Sequence, residues 1–151
     1  MTGDHIDHIE YTYTHGMTDD DVQDILKETN TGVLGLSRDG SAYAIPVAFH
    51  YDGERFIIRL GRHADSEKMS FIETTASACL TCYDYEPPDT SWSIIARGPL
   101  RELDADEHEA YPDADINEAF IPLRIFGEAP EEMEPVLFEL SVMELTGRRT
   151  G

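Results

Sequence analysis

Basic residues are scarce in this chain. Its 151 residues include 31 Asp and Glu but only 11 Lys and Arg, which gives a formal net charge of −20. Lysine is the rarer of the two, because Lys27 and Lys68 stand beside nine arginines. An acidic surface repels nucleic acid and anionic lipid, since binding to phosphates is driven by cations that release counterions. The composition therefore argues against nucleic acid and membranes as partners.

The acidic residues are spread along the whole chain, and no single tail holds them. This composition is typical of proteins kept soluble in multimolar salt, where screening over about 3 Å removes the self-repulsion of like charges. We therefore expect a halophilic protein that loses structure in dilute buffer and regains it in molar KCl.

Long apolar runs and cysteines are also few. No run approaches the roughly twenty apolar residues that span a bilayer, and the acidic N-terminus is unlike a signal peptide, so we expect a cytoplasmic protein. Cys79 and Cys82 form one Cys-x-x-Cys in a predicted strand. Residues three apart on a strand point to opposite faces, and no second cysteine pair completes a zinc site. We predict structural cysteines and no metal.

The length and the 40% apolar content fit one domain that covers residues 1–151. Residues 1–16 resemble an arm or a short edge strand. Thr18 followed by three aspartates predicts the start of a helix, because a hydroxyl caps and acids favour the first turn. Residues 104–135 form an acidic, proline-interrupted insertion that begins with a predicted helix over 104–110.

Between these segments, alternating apolar residues predict about six strands, at 33–37, 41–51, 56–60, 76–85, 91–101 and 136–145. Asp-Gly pairs at 39–40 and 52–53 predict hairpin turns, and residues 66–74 predict a short helix. Gly98-Pro99 predicts a bulge or bend within the fifth strand. A barrel closes the edges of such strands, so the pattern predicts an α+β barrel.

Four of the eleven basic residues fall within fourteen positions, namely Arg55, Arg59, Arg62 and Lys68. Guanidinium and ammonium groups make their strongest hydrogen bonds to ionised oxygens. The cluster therefore favours a phosphate-bearing ligand. The alternative is that these cations only offset neighbouring acids such as Glu67 on a solvated loop.

Four motifs occur in a characteristic order: Gly-Val-Leu-Gly-Leu at 32–36, Ala-Ile-Pro-Val-Ala-Phe-His-Tyr at 44–51, Ser-Glu-Lys at 66–68 and Trp-Ser-Ile-Ile-Ala-Arg-Gly at 92–98. Their order and spacing resemble the pyridoxamine 5′-phosphate oxidase-like family of FMN-binding proteins. The resemblance implies a split β-barrel of about six mainly antiparallel strands with Greek-key connections and flanking helices. It also implies a homodimer with the cofactor at the interface.

Carried over position by position, the resemblance implies cofactor contacts from Pro46, Val47, Ala48, Arg59, Leu60, Arg62, Lys68, Trp92, Ser93 and Ile94. The first three would follow the flavin ring, where backbone groups meet its polar edge. Lys68 matches the family's phosphate lysine, and either Arg59, Arg62 or His63 would approach the phosphate. The Ser93 hydroxyl could donate to the phosphate, whereas Trp92 either covers an aromatic ring or fills the barrel.

The activity implied by the resemblance is that of an FMN-dependent oxidoreductase with an unknown substrate. The deazaflavin F420 is an alternative cofactor, and a non-catalytic flavin-binding or sensing protein is an alternative function. The chain ends in Gly-Arg-Arg-Thr-Gly and lacks the oxidase's basic substrate-phosphate motif, so vitamin B6 oxidation is not expected. His50 and Tyr51 are either proton donors or hydrogen-bonded strand residues.

Overall fold

The structure is a computed structural model that describes residues 14–62, 67–109 and 134–150, except for the side chains of residues 62, 134 and 135. The described residues form nine strands and three helices: β1 (Thr14–Gly16), α1 (Asp19–Lys27), β2 (Thr31–Arg38), β3 (Ser41–Tyr51), β4 (Arg55–Arg62), α2 (Glu67–Thr74), β5 (Ala78–Glu86), β6 (Thr90–Gly98), β7 (Leu100–Glu102), α3 (Ala105–Glu109), β8 (Glu134–Ser141) and β9 (Glu144–Thr150). Predictions for residues 1–13, 63–66 and 110–133 lie outside the described residues.

All nine strands belong to one antiparallel sheet with the order β1-β9-β6-β5-β2-β3-β4-β8-β7. The sheet closes on itself, because β6 meets β8 although four strands separate them in this order. A Cβ built on Gly98 would lie 1.7 Å from the carbonyl oxygen of Ser141. Only glycine fits at this close approach of the two strands. The fold class is the predicted α+β barrel, with nine described strands where about six were expected.

Two predicted strands are each divided in the structure. The predicted bend at Gly98-Pro99 is the point at which β6, paired with β5 and β9, gives way to β7, paired with β8. The strand predicted over 136–145 is likewise β8 followed by β9, which pair with β4 and β6. Apolar alternation continues through both breaks, so the sequence pattern does not show where the chain changes its neighbour.

The local signals predicted the helix starts and turns correctly. The Thr18 side chain accepts a hydrogen bond from the Asp21 backbone and caps α1. Asp39 and Gly40 have φ of 49° and 82°, as a tight hairpin turn requires. In α2 the buried residue is Phe71, which stacks on Tyr43 with 5.1 Å between ring centroids.

The side chains that point into the barrel form one apolar core. Alternate residues of the strands supply it, and α1 and α2 add Val22, Leu26 and Phe71. Its most buried large members are Leu26, Leu34, Val47, Phe49, Phe56, Ile58, Leu80, Ile94 and Leu140. Cys82 belongs to this core, whereas Cys79 is half-buried on the outer face, which confirms that the two thiols point apart.

Candidate functional site

The most distinctive feature of the sheet is a split between β3 and β4. The two strands pair over only four residues of each, from Tyr51↔Phe56 to Ala48↔Arg59. Beyond that point both strands continue, but β3 stays with β2 and β4 stays with β8. Ala48 and Arg59 therefore mark a fork, and one edge of β3 faces no described strand from Ser41 to Val47.

Pro46 lies at the first step past this fork. The Phe49 N–H donates to the Asn30 carbonyl over 2.9 Å, so odd-numbered residues of β3 direct their backbone groups toward β2. Backbone direction alternates along a strand; the groups of Ala48, Pro46 and Ala44 therefore face the β4 side. Proline has no N–H to donate there. The split consequently presents the Pro46 carbonyl and the N–H and carbonyl of Ala44.

Cationic residues border this split. Arg59 is half-buried beside Ala48 and Leu137, its partners on the two neighbouring strands. Arg62 ends β4, and α2 begins five residues later, with the half-buried Lys68 in its first turn. The barrel holds α2 in place, because Thr75 Oγ1 accepts from the Ser37 backbone N–H over 3.1 Å.

Arg55 does not belong to this group. It lies at the opposite end of β4, roughly 23 Å from Arg62 at strand spacing. Its guanidinium contacts Asp52 at 3.1 Å and makes a close ion pair with Glu139. Burial acts to raise the pKa of Asp52, but hydrogen bonds from the backbone of Glu54 and Arg55 and from the Arg55 side chain lower it overall. Arg55 therefore stands apart from the predicted cluster, in a separate ion pair.

The remaining predicted residues divide between the two faces of the sheet. The side chains of Val47, Leu60 and Ile94 are buried in the core, which leaves only their backbone for a ligand. Trp92 is half-buried and packs against that core, which agrees with the alternative that it fills the barrel. Ser93 lies on the outer face of β6, three strands away from β3. One copy of the chain does not bring Ser93 to the split.

The two candidate proton donors on β3 also differ. Tyr51 is buried, and its hydroxyl oxygen lies 3.0 Å from Gln23 Oε1 and 2.9 Å from the Gly53 carbonyl oxygen. Its proton is therefore committed to a hydrogen bond within the fold. His50 is exposed on the outer face.

One functional feature was missed by the sequence reasoning, namely a sheet face without charge. Fifteen outward residues of β3, β2, β5 and β6 form this uncharged face, which Arg97 on β6 and His50 on β3 border: Thr31, Val33, Gly35, Ser37, Ala42, Ala44, Pro46, Ala48, Cys79, Thr81, Tyr83, Tyr85, Ser91, Ser93 and Ile95. All except Ala48 are at least partly exposed. Charged residues make up 28% of the chain, so fifteen uncharged outer positions form a distinct surface. Reading alternate positions of the predicted strands would have revealed it.

The uncharged face contains a shallow groove next to the split. Its volume is about 410 Å³, and small residues line it, among them Gly35, Ala42, Ala44 and Cys79. A larger cavity of about 740 Å³ lies elsewhere, between the start of α1 and β9. None of the ten predicted contact residues lines that cavity or the groove. The groove adjoins the split at Ala44, so the split, with the groove beside it, forms the candidate site. No helix in the described part of the chain is long and apolar enough to cross a membrane.

Solved structures with the same fold bind flavins according to their descriptions. An FAD-binding protein from Mesorhizobium loti matches with a TM-score of 0.75 and 13% identity, over 91% of this chain and 99% of its own. The FAD-binding protein of Mycobacterium smegmatis has a TM-score of 0.59, 20% identity and coverage of 89% and 97%. The FAD- and heme-binding protein of the same organism has a TM-score of 0.66, 17% identity and coverage of 91% and 73%.

These likenesses establish the split-barrel fold that the four motifs implied. No curated protein matches the chain in sequence. The family model described as pyridoxamine 5′-phosphate oxidase, however, matches residues 18–149. That range takes in the split, the cations that border it and every predicted contact residue. The chain therefore belongs to the pyridoxamine 5′-phosphate oxidase family.

Proposed function

We propose that this chain is a cytoplasmic, FMN-dependent oxidoreductase that acts as a homodimer on a small-molecule substrate. The observation that carries the proposal is the split between β3 and β4, which leaves a backbone edge beside Arg59 and near the start of α2, where Lys68 lies. In a chain with only eleven basic residues, this placement concentrates positive charge where a phosphate would be held.

The residues present fit a flavin mononucleotide. Lys68, Arg59 and Arg62 supply cations for a phosphate, which hydrogen-bonds strongly to such groups. The Pro46 carbonyl and the Ala44 N–H and carbonyl supply an acceptor, a donor and a second acceptor, a set that suits the polar edge of a flavin ring. Ala44 has only a methyl side chain and Gly35 beside it has none, which leaves room next to that edge.

A bound flavin supplies two-electron transfer between a donor such as reduced nicotinamide and a small oxidant. The chain's own residues bind and orient the cofactor. Buried Val47 and Leu60 keep the backbone on both sides of the split rigid, because their side chains are fixed in the core. Tyr51 offers no proton, since its hydroxyl is committed, so exposed His50 is the remaining candidate on β3.

Two further assignments have support of their own. A non-catalytic flavin-binding protein agrees with the descriptions of the two FAD-binding proteins from Mesorhizobium loti and Mycobacterium smegmatis, which name binding and no reaction. Those descriptions also name FAD, and the deazaflavin F420 carries a phosphate that the same cations would hold. Cofactor identity is therefore part of the test.

The first experiment is an absorption spectrum of protein purified in molar KCl, a solvent chosen because we propose a halophilic adaptation from the composition. Cofactor released by denaturation is then weighed. An FMN mass together with NAD(P)H-dependent reduction of an acceptor supports the proposal. A mass of F420 or FAD would show that this molecule, and not FMN, is the cofactor. A yellow protein without turnover supports the non-catalytic binding function. A protein that stays colourless after added FMN overturns the proposal.

The second experiment replaces Lys68 with alanine. Loss of one charge-assisted contact to phosphate costs about 1.5 to 3 kcal/mol, which corresponds to about tenfold or more in Kd for FMN. Lys27→Ala is the matched control, because it removes the chain's other lysine from the last turn of α1. Equal affinities of the two variants would remove Lys68 from the site.

A further inference from the structure

Arg38 is a basic residue outside the cluster of four that the sequence predicts as a phosphate site. It ends β2, immediately before the tight turn to β3. Its guanidinium carbon lies 5.2 Å from the centroid of the Phe71 ring, and the guanidinium donates a hydrogen bond to the Ser70 hydroxyl. Both of these residues belong to α2, the helix that carries Lys68. Arg38 therefore joins the β2–β3 hairpin to the helix whose lysine is proposed to hold the phosphate.

The same hairpin contacts α2 at two further points. Tyr43, near the start of β3, stacks on the Phe71 ring with 5.1 Å between the centroids. Just past the end of the helix, Thr75 Oγ1 accepts from the Ser37 N–H over 3.1 Å and lies 3.0 Å from the Ser37 carbonyl oxygen. One hairpin thus contacts both the middle and the end of α2.

The position of α2 depends on such contacts because the helix is short. It has eight residues, fewer than an isolated helix needs to be stable in water. Phe71 is its one buried residue, whereas Met69 and Ile72 are only partly buried. Where Lys68 lies is therefore set by the way in which α2 is attached to the barrel.

The hairpin also leads directly into the split. Tyr43 immediately precedes Ala44, whose backbone groups face the β4 side, and Pro46 follows two residues later. FMN has its ring at one end and its phosphate at the other, so a protein that binds both ends has to hold two sites at a fixed separation. The hairpin links these two sites, because it connects the backbone proposed to meet the ring with the helix that carries Lys68.

We infer that Arg38 is a positioning residue for the cofactor phosphate: it attaches α2 to the β2–β3 hairpin and so holds Lys68 at the separation from the split that FMN requires. This inference rests on the proposed function and adds a residue outside the motifs that carry the family resemblance. Arg38 acts through Lys68, because its own guanidinium is directed at Ser70 and Phe71. Its effect should therefore be confined to ligands that carry a phosphate.

The first test compares FMN with riboflavin, which has the same ring and no phosphate. Arg38→Ala should raise the Kd for FMN about fivefold, the loss expected when one cation–π contact and one hydrogen bond are removed. The Kd for riboflavin should stay the same. Lys27→Ala is the matched control, because it removes one positive charge from the last turn of α1 and should change neither Kd. An unchanged Kd for FMN, or an equal change for both ligands, would overturn the inference.

The second test determines whether Arg38 acts through Lys68. It measures the effect of Arg38→Ala on FMN binding in the wild type and in a Lys68→Ala background. Because residues that share one contact are not additive, the loss should fall from about fivefold in the wild type to less than about twofold in Lys68→Ala. The same loss in both backgrounds would make Arg38 an independent phosphate contact and overturn its positioning role.

A milder variant covers the case in which Arg38→Ala does not fold. Ser70→Ala removes the hydroxyl that accepts from Arg38 but keeps the guanidinium over the Phe71 ring. It should raise the Kd for FMN about twofold and leave the Kd for riboflavin unchanged. Thermal unfolding of the cofactor-free protein in molar KCl checks that each variant is folded. A folded Ser70→Ala protein that binds riboflavin and FMN equally less tightly would contradict the inference.

The outcomes separate this inference from the proposed function. Wild-type protein that binds no FMN overturns the proposed function and the inference with it. Wild-type protein that binds FMN, while Arg38→Ala and Ser70→Ala show no loss specific to the phosphate-bearing ligand, overturns the role of Arg38 alone. The cofactor assignment then stands.

Discussion

The outer surface of the sheet has two halves that differ in charge, and the split lies on their border. On β4, β7, β8 and α3 the outer surface is held together by ion pairs. Arg101 donates to both carboxylate oxygens of Glu107 at 2.6 and 2.7 Å and to Glu139 at 3.1 Å. Arg55 makes a further ion pair with Glu139. On β3, β2, β5 and β6 the outer surface is the uncharged face, with the exposed pair of Arg97 and Glu144 at its edge.

This difference shows which half of the surface finds its interaction partners within one chain. Every charge in the Arg55, Arg101, Glu107 and Glu139 network meets an opposite charge within the same chain. The uncharged face exposes Val33 and two tyrosines with no such partner in the described residues. We expect the charged half to govern the stability of one chain and the uncharged half to govern its assembly.

The largest effect should follow from placing a charge on the uncharged face. Val33 lies in the middle of this face, between Pro46 on β3 and Thr81 on β5, so Val33→Glu would bury a carboxylate in a dimer that forms through the face. We expect the dimer to weaken about a hundredfold or more, because burying a carboxylate without a partner costs several kcal/mol and salt screens a buried charge little. Sedimentation velocity in molar KCl measures the change.

Ala105→Glu is the control for this substitution. It adds the same charge to the exposed first turn of α3, in the charged half, where helices tolerate acids. The control should dimerise like the wild type. A Val33→Glu protein that also dimerises like the wild type would show that the uncharged face is not the interface.

A moderate effect should follow from removing the centre of the ion-pair network. Glu139 faces both arginines and also accepts from Ser141 over 2.7 Å. Glu139→Gln should lower the free energy of unfolding by about 2 kcal/mol, the range for hydrogen bonds to charged groups. Glu144→Gln removes the exposed pair with Arg97 and should cost about 0.5 kcal/mol or less. Denaturant titration compares the two variants.

The pH dependence gives this prediction a direction. Burial acts to raise the pKa of Glu139, but hydrogen bonds from Ser141, Arg55 and Arg101 lower it overall. Hydrogen bonds from Arg101 hold the pKa of Glu107 at about 2, against an ordinary value of 4.5. A lowered carboxyl pKa contributes stability above the unfolded value and loses it as pH falls. The difference between wild type and Glu139→Gln should therefore shrink below about pH 4.5; a constant difference would contradict this assignment.

The smallest effect concerns the two thiols. Burial raises the pKa of the Cys82 thiol to about 12, so a thiol reagent should modify half-buried Cys79 alone in the folded protein. Because Cys79 lies on the uncharged face, its labelling should be slower in the dimer and several-fold faster in Val33→Glu. A Cys79→Ser protein should show no labelling until it unfolds. Equal labelling rates in the wild type and Val33→Glu would count against the proposed interface.

Some elements were predictable from the sequence because local chemistry fixes them. The strand Ser41–Tyr51 was predicted with its observed bounds, because Asp-Gly turns delimit it on both sides. Thr18 was predicted as the cap of α1 for the same kind of reason. The divisions at Gly98-Pro99 and after Ser141 were missed, because an alternating pattern carries no record of which strand lies alongside. The candidate site was only partly predictable for the same reason. Arg55 and Arg59 look equivalent in the sequence, but the structure gives them different surroundings.

The sequence by itself determined the helix starts, the tight turns, the alternation that fills the barrel core and a surface of extreme negative charge. Each of these depends on residues close together in the chain or on composition alone. Only the tertiary structure decided that β3 and β4 separate at Ala48 and Arg59. It also decided that Arg55 forms an ion pair with Glu139 and that four strands share one uncharged face. These properties depend on which strands become neighbours, and that is decided by long-range packing of the closed sheet.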